Sequence, residues 1–188
     1  MAASDQELDR YLGQLADEHP EEFGSAMRWL QENPERARPR LTALLRQGRD
    51  DFATRHALEV IGRIGRREDV PVLLERLSSA SGTFAWDAAR ALALHPDAGA
   101  RAALETAARS AELDVAKAAV AALGVRKDPA ARASLEAALA HAHRDVRYRA
   151  VHSLVDIDAK PSKAALERCL KAESDPEVRG AAQKALGR

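Results

Sequence analysis

Apolar residues recur along this chain at a fixed interval of 31 residues. In residues 114–124, Val115, Ala119 and Leu123 are four apart, and residues with that spacing share one face of an α-helix. With Val115 as position 0, positions 0, 4 and 8 are apolar in four more copies, the last reached by a step of 32: Ala53, Ala57 and Ile61; Phe84, Ala88 and Leu92; Val146, Ala150 and Leu154; Val178, Ala182 and Leu186. Copies at one period predict a repeat array.

A second apolar series keeps the same interval. It consists of leucines 31 apart, each followed four residues later by another apolar residue: Leu73, Leu104, Leu135 and Leu166, then Leu77, Ala108, Leu139 and Leu170. Each copy therefore predicts two amphipathic helices, which cannot bury their apolar faces alone. Stacking the copies buries those faces in a continuous core. We therefore predict an all-α fold, an α-solenoid of antiparallel helix pairs.

Aspartates punctuate the array. Asp97, Asp114, Asp128 and Asp145 stand before predicted helices, where a carboxylate can accept hydrogen bonds from unpaired backbone amides. We predict that these four residues are helix N-caps.

The first 48 residues fit the interval poorly. They predict three helices, whose apolar residues do not keep the spacing of the later copies. The end units of a repeat array must close the core, and atypical sequence is expected there. We interpret residues 1–48 as capping helices and residues 49–188 as one continuous array. A separate functional head is the alternative for residues 1–48.

The charge balance argues against a polyanionic partner. The chain has 29 basic and 29 acidic side chains, so no net charge attracts nucleic acid or anionic lipid. The N-terminus has no basic flank followed by an apolar run, and no stretch is long and apolar enough for a bilayer. These features predict a cytoplasmic protein. The single cysteine, Cys169, falls in the buried series and predicts a packed core thiol.

Two segments resemble the consensus of a known repeat. Residues 51–65, with Arg55, Ala57, Glu59 and the pair Ile61-Gly62, are similar to the short bacterial HEAT repeats known as phycobilin-lyase HEAT-like repeats. Residues 175–179, Asp-Pro-Glu-Val-Arg, open the last copy in the same way. The resemblance covers about residues 50–188.

The resemblance implies a function in protein binding, through the helix ridges or the concave surface. An alternative is a lyase-type or chaperone subunit that acts on a protein-bound ligand, as in phycobilin lyases. Deoxyhypusine hydroxylases have a similar fold but hold iron with His-Glu pairs, and this chain has no His-Glu dipeptide. HEAT-like DNA glycosylases use aromatic and acidic residues in a basic cleft. Here only Trp86, Asp87 and Arg90 cluster, and the chain has no net charge, so that activity is not expected.

Positions 2 and 6 of the first helix in each copy are opposite the apolar face. They carry aromatic and basic side chains in most copies: Arg55, Trp86, Lys117 and Tyr148 at position 2, with Glu59, Arg90, Ala121 and His152 at position 6. Trp, Tyr and Arg are enriched at protein interfaces. We predict a partner-binding strip of Arg55, Trp86, Arg90, Lys117, Tyr148 and His152, facing solvent. The alternative is that Trp86 packs on its neighbours and stacks with Arg90.

Chemistry-bearing residues form no recognisable catalytic or metal motif. His141, His143 and His152 are near one another in sequence, but no cysteine or acidic residue has the spacing of a zinc ligand. We therefore expect no catalytic residue, metal or cofactor. The sequence predicts a monomeric, non-catalytic scaffold or adaptor that binds another protein, with no nucleic-acid or membrane partner.

Overall fold

The chain folds into twelve α-helices in the residues that the computed structural model describes, 2–17, 20–79 and 82–187. These helices are α1 (Ala2–Gln14), α2 (Pro20–Glu32), α3 (Pro34–Arg46), α4 (Phe52–Ile64), α5 (Val70–Ser79), α6 (Gly82–Leu94), α7 (Ala98–Ala107), α8 (Leu113–Arg126), α9 (Arg132–Ala138), α10 (Arg144–Asp156), α11 (Lys163–Ala172) and α12 (Pro176–Ala185). All regular structure in those ranges is helical, as predicted. Every helix within them is too short or too polar to cross a lipid bilayer.

The 31-residue interval is the period of the core. The alanines at position 4 are fully buried in all five predicted copies, from Ala57 in α4 to Ala182 in α12. The second series is equally well buried at Leu73, Leu104 and Leu135. Because alanine has no side chain beyond Cβ, neighbouring helices can approach closely at position 4. The repeat array predicted from the sequence is confirmed.

The interval also continues into the first 48 residues. Ala26 and Leu30 of α2 are fully buried and lie 31 residues before Ala57 and Ile61. In α3, Leu41 and Leu45 are fully buried at the positions that Leu73 and Leu77 hold in α5, 32 residues later. These helices therefore share the register of the array. Their role as a cap remains a prediction.

Two of the four predicted N-caps are confirmed. Asp97 accepts a hydrogen bond from the amide of Gly99 at 2.6 Å at the start of α7. Asp128 accepts one from the amide of Ala130 at 2.9 Å and caps a short 3-10 helix, Pro129–Ala131, that leads into α9. Asp114 and Asp145 are not caps, because they lie inside the first turns of α8 and α10. There each carboxylate complements the positive end of its helix.

The helices form two compact units, Met1–Ala100 and Arg101–Arg188. In the first unit, α4 packs against α6, α3 against α4, and α5 against α6. In the second unit, α10 packs against both α8 and α12. Polar contacts within each unit follow the repeat: Arg38 pairs with Asp69 at 2.8 Å and Arg144 with Asp175 at 2.9 Å, each across 31 residues.

Helices α8 and α10 are closest at Gly124. A Cβ atom at this position would lie 2.9 Å from the Cα of Ser153 and 2.8 Å from its Cβ. The hydroxyl of Ser153 also donates a hydrogen bond to the carbonyl of Val120 at 2.9 Å. The missing side chain at Gly124 is therefore what lets the two helices meet.

We expect Gly124→Ala to lower stability, although alanine is the better helix former. The substitution gains about 1 kcal/mol of helix propensity, but overpacking against a backbone costs about 1–3 kcal/mol. The matched control is Gly180→Ala in α12, where a Cβ would meet no atom within 4 Å, so propensity alone should raise stability. Urea unfolding of both variants measures the two changes. Equal stabilisation by both substitutions would contradict the close contact.

Candidate protein-binding groove

An open groove of about 580 Å³ lies on the second unit, formed mainly by α10 and α12. We call it the α10–α12 groove. Three of the residues predicted to bind a partner, Lys117, Tyr148 and His152, line it. The structure thus brings together the three members of the predicted strip that belong to this unit.

Tyr148 and His152 form one wall of the groove. They are one turn apart on α10, and their ring centroids are 4.6 Å apart. The side of the groove on α12 includes Gly180 and Ala181, where the small residues leave room. The wall therefore offers an aromatic surface beside open space.

Arg144 holds an ion cluster where α10 and α12 begin. Its guanidinium contacts Asp145 and Asp175 at 2.9 Å and Glu177 at 2.8 Å. Hydrogen bonds to Asp145 and Asp175 raise the pKa of Arg144 above its usual range. The amide of Val178 and the Arg144 guanidinium lower the pKa of Asp175. One cation is thus shared by three carboxylates.

The other three predicted residues lie in the first unit, where their environment differs. Arg55 pairs with Asp87 at 2.8 Å and lies over the ring of Phe84, and Arg90 contacts Glu59 at 3.7 Å. Arg55, Arg90 and their acidic partners line a smaller cleft of about 120 Å³. Trp86 of α6 is half-buried. Both arginines therefore link α4 to α6 within the protein.

One residue of the predicted solvent-facing face is buried. Ala121, at position 6 of α8, is 7% exposed, so the expectation that this position faces solvent is wrong there. The reason is that α8 is apolar around most of its circumference, with buried residues at each position from Ala118 to Gly124.

Sequence reasoning missed several residues of the groove: Arg144, Arg149, Gly180 and Lys184. Two of them were within reach, because the step of 32 residues carries position 2 from Tyr148 to Gly180 and position 6 from His152 to Lys184. The signal was the repeat itself, extended by one copy.

His141 and His143 contact backbone carbonyl groups, and Cys169 is buried. The Nε2 atoms of His141 and His143 lie 3.0 Å from the carbonyl oxygens of Ser110 and Ala111. Cys169 is buried, and burial raises the pKa of its thiol. Within the described residues, no group of His, Cys, Asp and Glu side chains is placed to hold a metal ion.

Comparison with known proteins identifies the family. The family model for HEAT repeats matches residues 70–148 and 100–187, which together span more than half of the chain. The chain therefore belongs to the HEAT-repeat family, and its fold is the α-solenoid predicted from the period.

Solved structures with similar folds share little sequence with the chain. A designed armadillo repeat protein in complex with the peptide (KR)4 has 22% identity and a TM-score of 0.52, over 96% of this chain and 98% of that one. The complex of CpcE and CpcF of phycocyanin lyase from Nostoc sp. has 21% identity and a TM-score of 0.48, over 96% of this chain and 76% of that one. No protein in the curated set matches the sequence.

Proposed function

We propose that this protein is a non-catalytic HEAT-repeat scaffold that binds a partner protein in the α10–α12 groove. The observation that carries the proposal is that Lys117, Tyr148 and His152 line one open groove. Tyr148 is 38% exposed, and none of the three side chains is buried in the core. Tyrosine is among the residues that contribute most to protein interfaces, so Tyr148 is the expected anchor of the contact.

The dimensions of the groove suit a short extended segment. Arg144 and His152 are eight residues apart on α10, which corresponds to about 12 Å along a helix. An extended chain advances about 3.3 Å per residue, so roughly four residues of a partner span that distance. The designed armadillo protein with a similar fold holds a peptide, which supports this mode of binding.

We assign the first unit a secondary part in binding. Arg55 and Arg90 already have carboxylate partners in the protein, so a ligand would have to compete with those ion pairs. Trp86 stays a predicted contact residue of this unit. The second unit supplies the main site.

Gly180→Leu is expected to abolish partner binding without harming the fold. A side chain at Gly180 extends into open space beside the groove, because a Cβ there meets no atom within 4 Å. Leucine is also a better helix former than glycine by up to about 1 kcal/mol, so the variant should melt no lower than the wild type. The measurement is a quantitative pull-down of partner protein from an extract of the native host, in parallel with thermal melts.

The matched control is Gly24→Leu. Gly24 is an exposed glycine inside α2 whose Cβ would also meet open space, and it lies far from the groove in sequence. The proposal requires a partner that wild type and Gly24→Leu retain and Gly180→Leu loses. Equal recovery of every protein by Gly180→Leu would contradict it.

A further inference from the structure

We infer that the α10–α12 groove recognises an acidic segment of its protein partner, with Asp or Glu side chains placed against Lys117 and Lys184. The inference deepens the proposed function and rests on it. It comes from comparing which side chains occupy the same repeat positions in the first unit and in the second unit.

In the first unit, cations on this face meet carboxylates on the neighbouring helix. Arg55 at position 2 of α4 pairs with Asp87 at position 3 of α6, at 2.8 Å. Glu59 at position 6 of α4 contacts Arg90 at position 6 of α6, at 3.7 Å. Glu59 also pairs with Arg63 of its own helix, at 3.1 Å.

In the second unit, both carboxylate positions have lost their negative charge. Lys117 holds the position of Arg55, but Arg149 replaces Asp87, 62 residues later in both cases. At position 6 the comparison is with the next helix pair, α10 and α12: Lys184, 94 residues later, holds the position of Arg90, and His152, 93 residues later, replaces Glu59. All four of these side chains line the groove.

The two lysines are left without acidic partners. In the part of the chain that the structure describes, neither Lys117 nor Lys184 contacts a carboxylate. A carboxylate from a ligand would compensate the charges of these two lysines. The groove therefore carries two cations without a carboxylate partner, Lys117 and Lys184, which an acidic peptide complements.

The ion cluster at Arg144 limits the ligand to a short acidic segment. Three carboxylates surround that single guanidinium, so the groove is electronegative where α10 and α12 begin. A nucleic-acid strand carries a phosphate charge roughly every 3.4 Å and would be repelled there. A peptide with acidic residues near Lys184 and neutral or basic residues near Arg144 fits both ends.

The test is a selection from a random peptide-display library, with peptides of about twelve residues, three times the roughly four extended residues that the groove spans. Wild-type protein is the bait, and peptides that also bind Gly180→Leu are discarded. We expect the remaining peptides to be enriched in Asp and Glu, and their affinity to weaken as salt screens the charges. Fluorescence anisotropy with the synthesised peptides measures that affinity.

Two double variants then assign the charge effect to the groove. Lys117→Gln with Lys184→Gln should weaken the selected peptides about tenfold or more, as expected when two complementary charges are lost. Lys160→Gln with Lys171→Gln removes the same charge from two exposed lysines that do not line the groove, and should change affinity little. Thermal melts should be unchanged for both pairs.

The outcomes separate the inference from the proposed function. If peptides are selected that depend on Gly180 but are neutral or basic, the acidic-segment inference is overturned and the scaffold function stands. A single-stranded oligonucleotide that displaces the bound peptides at a lower concentration than the unlabelled peptides themselves would overturn the acidic-segment inference in favour of nucleic acid. If no selected peptide depends on Gly180, the proposed function fails as well.

Discussion

Leu123→Ala should lower the free energy of unfolding by about 2–5 kcal/mol, the range for buried leucines in well-packed cores. Leu123 is fully buried in α8, at position 8 of the repeat. Removing three carbons leaves a cavity, and α8 has little freedom to collapse into it. The close contact at Gly124 already fixes its distance from α10.

Val125→Ala is the control in the same helix. Val125 is 59% exposed, so its truncation should change stability by no more than about 0.5 kcal/mol. Urea denaturation followed by circular dichroism compares the two variants. A loss below about 1 kcal/mol for Leu123→Ala would mean that position 8 does not form the core.

Glu173→Gln should cost about 2–4 kcal/mol, slightly less than the loss of one partner from a fully buried ion pair. Glu173 accepts hydrogen bonds from Arg147 at 2.6 and 3.0 Å, and its side chain is only 4% exposed. It also accepts from the amides of Ser174 and Asp175, both at 3.0 Å. A neutral amide leaves the Arg147 guanidinium, 18% exposed, without its counter-charge.

The same pair gives stability a defined pH dependence. Hydrogen bonding from Arg147 lowers the pKa of Glu173, and this outweighs the opposing effect of burial. A carboxylate with a lowered pKa in the folded state stabilises the fold above its ordinary pKa of 4.5. That contribution disappears as the pH falls through the lowered value. The stability difference between wild type and Glu173→Gln should therefore shrink on acidification.

Glu177→Gln provides the matched control for this experiment. Glu177 also pairs with an arginine, Arg144, at 2.8 Å, but its side chain is 65% exposed. An exposed pair contributes at most about 1 kcal/mol, so this substitution should be nearly neutral. Equal losses from the two substitutions would contradict a special role for the buried pair.

The buried core could be predicted because each core residue is identified by its own position in the repeat, without reference to a partner residue. Each position-4 residue is an alanine whose burial depends only on the face of its helix, and spacing along the sequence determines that face. The same argument failed in α2, where Ala26 and Leu30 keep the register but Glu22 stands at position 0. One charged residue was enough to hide the pattern.

The groove was only partly predictable, because it depends on relations between side chains. Lys117, Tyr148 and His152 followed from positions 2 and 6 of the first helices. The cluster at Arg144 instead requires side chains from two successive copies to converge on one guanidinium. The pair of Arg147 and Glu173 is separated by 26 residues, which is no multiple of the interval. No periodic argument could have found it.

The hydrogen bonds that follow the repeat also bear on how the chain folds. Arg38 reaches Asp69 over 31 residues, Arg55 reaches Asp87 over 32, and Ser153 reaches Val120 over 33. The entropy of closing a loop depends on its length. Forming each of these contacts therefore loses nearly the same chain entropy, wherever along the chain it forms. A chain built this way has no single privileged nucleus, and folding can begin at any neighbouring pair of repeats and spread outward. Short sequence separations of this kind also favour rapid folding.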